Sequence, residues 1–231
     1  MHEGLWEQVE KLDAAQTAAR TLCTHDVHDG EASYTVRMLN VDYTVNLARK
    51  SIEPVASRYP PVSCRDVPVA GDRGGRTPHG ASLRVKQPGY LEQLCILAYL
   101  LHAKEKPLSH RLISEKGLPG GSFYFQAKIH ELPTGLLANL FEERPEKLYS
   151  VAERFNATRC ELGDASIRVP VLPRVPLTVV IWRADDEFPG RAAVLFDETA
   201  ADQLPLDALG AAAVVTIKAI VEAAAQMNDE R

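Results

Sequence analysis

Three apolar runs lie close together near the C-terminal end: "ASIRVPVL" (165–172), "PLTVVIW" (176–182) and "RAAVLF" (191–196). Each is too short for an ordinary helix and rich in branched side chains, so each predicts a strand. The links between them are too short for a parallel crossover, which leaves a three-strand antiparallel meander. Pro170 cannot donate to a ladder, so the first strand belongs at an edge. The second run has no polar face and belongs at the centre. A helical pattern follows, with Leu209, Ala213, Ile217, Ile220, Ala224 and Met227 along one seam. It is apolar over much of its girth and is expected to lie flat on the sheet. Its longest uncharged stretch, residues 208–217, is shorter than a bilayer requires.

The N-terminal half is more broken. Leu5, Trp6, Val9 and Leu12 fall at helical spacing. Asp13, with Gln16 three residues on, reads as the cap of a second short helix over residues 13–22. After a polar turn, "THDVHDGEA", two alternating runs follow. Tyr34, Val36 and Met38 share a face, as do Val41, Tyr43, Val45 and Leu47, with Leu39-Asn40 as the tight turn of a β-hairpin. Residues 53–88 hold six prolines and the stretch "GDRGGR", and read as one long loop. "GYLEQLCILAYLLHAK" predicts a helix with Leu91, Leu94, Cys95, Ala98 and Leu101 inward, ended by Pro107. In "LPGGSFYFQAKIHEL", Phe123, Phe125, Ala127 and Ile129 alternate with polar neighbours and predict a strand launched from a Gly-Gly turn. Two short helices are expected over residues 134–142 and 145–155, with Pro145 suited to a first turn. The whole is expected to be a single α+β domain over residues 1–231, its largely antiparallel sheet packed on helices.

The charge balance excludes one function class. Lys and Arg total 26 against 31 Asp and Glu, for a net charge of -5, and the basic residues form no stripe, so no nucleic-acid partner is implied. The first residues, "MHEGLWEQVEKLD", carry charges and no apolar core of a signal peptide. With no membrane span expected either, the protein is placed in the cytoplasm. Cys23, Cys64, Cys95 and Cys160 are scattered, which rules out a local zinc knuckle and reads as reduced, mostly buried thiols.

Four stretches invite a chemical reading, and each has a plainer one. "RADDEFPGRA" joins two strands. Asp185, Asp186 and Glu187 before Pro189-Gly190 are ordinary turn residues, or else hard oxygen ligands for Mg²⁺ or Ca²⁺ joined by Asp164 and Asp197 at the ends of neighbouring strands. Gly120, Gly121 and Ser122 are a turn, or a nest of backbone N–H groups for an anion. "GDRGGR" lacks the G-K-[ST] ending of a phosphate loop. "HDVHD" (25–29) sits in a predicted turn rather than on a helix face that would gather a metal. His102 reads as a histidine at the edge of the core. Trp182, Tyr99, Phe123, Phe125 and Phe188 line a flat cofactor pocket or are simply core. No G-x-S-x-G surrounds Ser122, and no nucleophile–base pair is visible.

"LAYLLHAKEKPLSHRLISEKGLPGGSFYF" and "FNATRCELGDASIRVPVLPRVPLTVVIWRADDEFPGRAAVLFDETAADQLPLDAL" together resemble the DUF3786 family. The resemblance runs from about Trp6 to the C-terminal helix. It rests on the order of Y-L-L-x-A-x-x-x-P-L, P-G-G-S-F, G-D-A-S, P-x-x-P, W-x-x-D-x-E-F-P and L-F-D. It implies no established activity. It does imply a setting in anaerobes, where members are often joined to a four-cysteine iron–sulfur domain, and so a link to corrinoid, one-carbon or redox metabolism. This chain has no such cysteine cluster, so whatever an iron–sulfur domain contributes elsewhere would here come from a separate iron–sulfur or corrinoid protein partner, or be absent. The expected function is a non-catalytic module binding a cofactor or partner. Gly120, Gly121 and Ser122 and the 185–187 hairpin would be its contact surfaces, with Trp182 or Phe188 as apolar platform. The alternative is an enzyme whose carboxylates hold a divalent ion.

Overall fold

A computed structural model describes residues 2–28, 30–55 and 87–229. The "GDRGGR" stretch, Cys64, Asp29 and most of the proline-rich segment lie outside the described residues.

Residues 2–55 build two helices and a sheet. α1 (Glu3–Val9) and α2 (Ala14–Thr21) follow the predicted spacing, and the Asp13 carboxylate accepts the Gln16 N–H at 2.8 Å. The sheet runs β1 (Thr24–His28), β2 (Glu31–Met38), β3 (Val41–Asn46), β4 (Ser51–Pro54), each antiparallel to the next. The expected hairpin is β2–β3. Tyr34, Val36 and Met38 are buried opposite Val45, Tyr43 and Val41. Leu39 and Asn40 both take positive φ, 48° and 65°, as a two-residue hairpin loop requires. The polar stretch "THDVHDGEA" is not a turn, because residues 24–28 pair with residues 31–35 as β1. This strand lies at a sheet edge and is mostly exposed, so it needs no apolar face.

α3 (Tyr90–His102) is more deeply buried than its predicted stripe. Residues 95–100 are all buried, while His102 is exposed rather than set at the core's edge. α1 and α2 pack on α3. The Tyr99 hydroxyl donates to Thr21 O, and the Arg20 guanidinium donates to the carbonyls of Leu100, Leu101 and Ala103. A helix end leaves such carbonyls without partners, and a cation there also suits the helix dipole.

Next come β5 (Leu112–Ser114), a 3-10 turn at Glu115–Gly117, α4 (Gly121–Tyr124) and a second 3-10 turn at Lys128–His130. The strand expected over 123–129 is therefore absent. α5 (Gly135–Phe141), α6 (Lys147–Ala152) and β6 (Thr158–Cys160) lead into β7 (Ala165–Leu172), β8 (Val175–Trp182) and β9 (Arg191–Asp197). The predicted meander is β7–β8–β9, inside a five-stranded antiparallel sheet ordered β5-β9-β8-β7-β6 with β8 at its centre. β7 is not an edge, because β6 covers residues 166–168. The cover stops short of Pro170, which faces Pro176 where the register slips, so the missing N–H disrupts no ladder. The two sheets meet where Leu39 N–H donates to Val171 O at 2.9 Å.

α7 (Leu206–Asp229) packs against α3, α5 and α6. Leu209, Ala213, Ile217, Ile220 and Ala224 are buried along the predicted seam. The apolar span is longer than its uncharged stretch, since Lys218 and Glu222 face outward. By length and composition Leu206–Met227 could cross a membrane, but 67% of that window is buried inside the fold, as in a core helix.

Candidate functional site

The Gly-Gly turn is built by close approach. Gly120 has φ 76°, a region costly for residues with a Cβ, and its carbonyl accepts from Tyr124 N–H at 3.1 Å. Gly121 is buried, and a Cβ there would overlap the Glu115 carbonyl oxygen. Its N–H donates to Leu118 O at 2.8 Å. One of the three donors expected for an anion is thus committed to the turn itself. Ser122 is exposed, with no side-chain partner among the described residues.

The segment after the turn is pinned by Leu118, Phe125 and Leu132, all buried and seven residues apart. Phe125 lies against Gly210 of α7, and the Tyr124 ring stacks on His130 with centroids 3.9 Å apart. The apolar side chains that suggested a strand point out: Phe123 is 88% exposed and Ile129 is 86% exposed. Between this segment and β9 runs a cleft of about 330 Å³, lined by Lys116, Phe125, Glu131, Leu132, Thr134 and Ala193 among others.

The acids behave as turn residues. The Asp185 carboxylate accepts N–H bonds from Glu187 at 2.9 Å and Phe188 at 2.7 Å, and Asp185 N–H donates to Phe188 O. Asp164 stands at the same end of the sheet, where its carboxylate accepts the Arg183 N–H at 2.8 Å. Asp197 does not join them. Arg191 pairs with Trp182 beside the turn, while Phe196 pairs with Leu177, so Asp197 lies at the far end of β9, about 20 Å away at strand rise. Among the described residues no group of three or more His, Cys, Asp or Glu side chains is placed to hold a metal ion. Alanine at Asp186 or Glu187 is expected to change stability by less than about 0.5 kcal/mol, whereas Asp185→Ala should cost about 1 kcal/mol through the lost turn bonds. Urea melts of the three variants check this.

Asp197 has another role, which sequence spacing did not reveal. It is 1% exposed and accepts from Ser109 N–H and Oγ, His110 N–H, and Thr199 N–H and Oγ1, at 2.6–3.0 Å. Burial pushes its carboxyl up, but the bonds from Thr199 and Ser109 win and hold it at about 2. Thr199, two residues on, was a local hint of a capping carboxylate, whereas Ser109, 88 residues away, left none.

The predicted aromatic platform is dispersed. Trp182 is half-buried, with the Arg191 guanidinium 4.3 Å above its ring, and Phe188 is 66% exposed in the turn. Tyr99 is wholly buried in α3. The Gly-Gly turn sits beside Leu206, whereas Gly190 of the acidic turn packs on Glu142. The two expected contact surfaces therefore rest on different elements. His25 packs its ring on Tyr34 at 5.0 Å, and because it lies on a strand it shares no helix face with His28.

The model of a domain of unknown function, DUF3786, matches residues 72–219. The chain belongs to the DUF3786 family. The match begins well after Trp6, so the sheet β1–β4 lies before the matched span. The Gly-Gly turn, the cleft, the acidic turn and Asp197 all lie within it. No curated protein and no solved structure matches this chain. What the DUF3786 portion does must therefore be argued from its own surfaces.

Proposed function

We propose that this DUF3786 chain is a non-catalytic binding module that holds a partner protein on its 118–133 segment. The near-complete exposure of Phe123 and Ile129 carries the reading. They are the two barest large apolar side chains among the described residues and share one short segment, and an aromatic anchor on a pinned backbone suits an interface. The buried Leu118, Phe125 and Leu132 hold the segment in place, so little order is lost on docking. The family's setting in corrinoid, one-carbon or redox metabolism makes an iron–sulfur or corrinoid protein of the cytoplasm the partner class to seek. The alternative of a metal-assisted enzyme loses support, because Asp197 stands apart from Asp164, Asp186 and Glu187.

A photo-crosslinking residue at position 123 or 129, used in extract prepared without oxygen, should capture one protein. The same residue at Val27, itself 64% exposed, should not. The substitutions Phe123→Asp and Ile129→Asp should shift the melting curve little, since neither side chain is packed. They should weaken retention of the captured partner at least about tenfold, or roughly 1.4 kcal/mol. Equal capture from Val27, or retention unchanged in the double variant, rejects the reading.

A further inference from the structure

We propose that the outer face of the five-stranded sheet carries an oxyanion site built on Arg168 and His110. Strand residues alternate between faces. On one face Ile167, Val169, Leu177, Val179, Val194 and Phe196 are buried in the core. On the other, Thr158, Arg168, Thr178, Leu195 and Ser114 stand opposite one another in a single row across all five strands. Four of the five are polar. Thr158 and Ser114 are exposed at the two ends, Arg168 and Leu195 are half-buried, and Thr178 is buried. The same face carries Ser166 and Val180, both buried like Thr178, and at its ends the charged Asp197 and Arg191, so Arg168 is the charge nearest its middle.

The Arg168 charge has no matching carboxylate. Its guanidinium stands with Nη1 3.5 Å from His110 Nδ1, and no ion pair joins it to an acid among the described residues. His110 is exposed and the contact lies at the surface, so the guanidinium is open to a ligand from solvent, and its fork suits a carboxylate or phosphate. Asp197 belongs to the same face but does not fill this role, since both its oxygens are taken by Ser109, His110 and Thr199.

His110 is placed rather than merely near. It lies just before β5, takes φ 59°, and is held there by its N–H donating to Asp197 at 2.8 Å. A left-handed residue other than glycine persists only when its surroundings fix it. The Asp197 knot therefore fixes the backbone that carries the imidazole, and Arg168 of β7 meets it although β8 and β9 lie between β7 and β5. A planar guanidinium fork with an imidazole at its side can bind two oxygens of one anion and a third from the flank. The ligand class is a small molecule bearing a phosphate or carboxylate. The site shares no residue with the 118–133 segment, and its test does not depend on any partner.

The test is a titration of isotope-labelled full-length chain with inorganic phosphate and with acetate, against sodium chloride at equal ionic strength. The Arg168 Nε–H and His110 ring resonances should shift saturably with phosphate, acetate or both, and not with chloride. The stronger of the two identifies the ligand as a phosphate ester or a carboxylate. Arg168→Lys keeps the charge but loses the fork, and should weaken binding about tenfold. His110→Asn keeps a residue that tolerates positive φ, so the backbone stays in place, and should weaken binding about threefold to tenfold. Chloride matching both anions, no saturable shift with either, or undiminished binding by both variants overturns the site.

Discussion

Gly121→Ala is expected to destabilise the protein by about 3 kcal/mol or more, lowering the melting temperature of a chain this size by roughly 6–12 °C. The added methyl would meet the Glu115 carbonyl oxygen, which is backbone and cannot rotate away, and would come within 3.1 Å of Leu118 Cβ. Relief requires the turn to open, and opening it moves Leu118 and Phe125 off their packing sites. Two neighbours calibrate the effect. Gly120→Ala brings positive-φ strain of about 1–2 kcal/mol, and Gly4→Ala in α1, where nothing lies within 4 Å, should be neutral or slightly stabilising. If Gly121→Ala melts with wild type, the close approach at Glu115 does not exist as described.

Asp197→Ala should be comparably severe, at about 3 kcal/mol, because it removes the acceptor for three backbone N–H groups and two hydroxyls around a buried position. Asp197 also predicts how stability depends on acid. Its carboxyl is held at about 2 against an ordinary 3.8. A depressed acid stabilises the fold above its unfolded value and loses that contribution as pH falls through the folded one. About 2 kcal/mol should therefore be present above pH 5 and decline between about pH 4 and pH 2. Asp197→Asn has no such acid to titrate. Urea melts at pH 7 and pH 3 should converge for the two proteins as pH drops. A gap that stays constant would mean that Asp197 is not the ionised hub of these bonds.

How far the chain could be read before folding depended on what each pattern was measuring. The β2–β3 hairpin was legible because burial, alternation and the Leu39-Asn40 turn all agreed. The meander and α7 were legible for the same reason. The stretch from Phe123 to Ile129 misled because alternation normally reports a face buried in a sheet, and here the alternating residues face solvent. The true packing signal was the spacing of Leu118, Phe125 and Leu132, which belongs to compact turns. β1 was missed for the converse reason, since an edge strand exposed on both faces carries no apolar rhythm. Its signal was Asp29-Gly30, a favoured two-residue hairpin pair. The acids were correctly read as a turn first. The distance of Asp197 from that turn was legible, since it ends a strand that begins at the turn, but its partners Ser109 and His110 were not, being 88 and 87 residues away. Arg168 and His110 are 58 residues apart, and their meeting depends on the Asp197 knot and the strand order, neither of which leaves a local trace.

Arg20, described above as the donor to the last carbonyls of α3, has a broader consequence. The helix it closes lies inside the span that defines the family, but Arg20 does not. The same holds for Thr21, which receives the Tyr99 hydroxyl, and for Leu39, whose amide is bonded to β7. In this chain the matched portion thus leans on residues that precede it, which close the end of its first described helix and meet the sheet beyond.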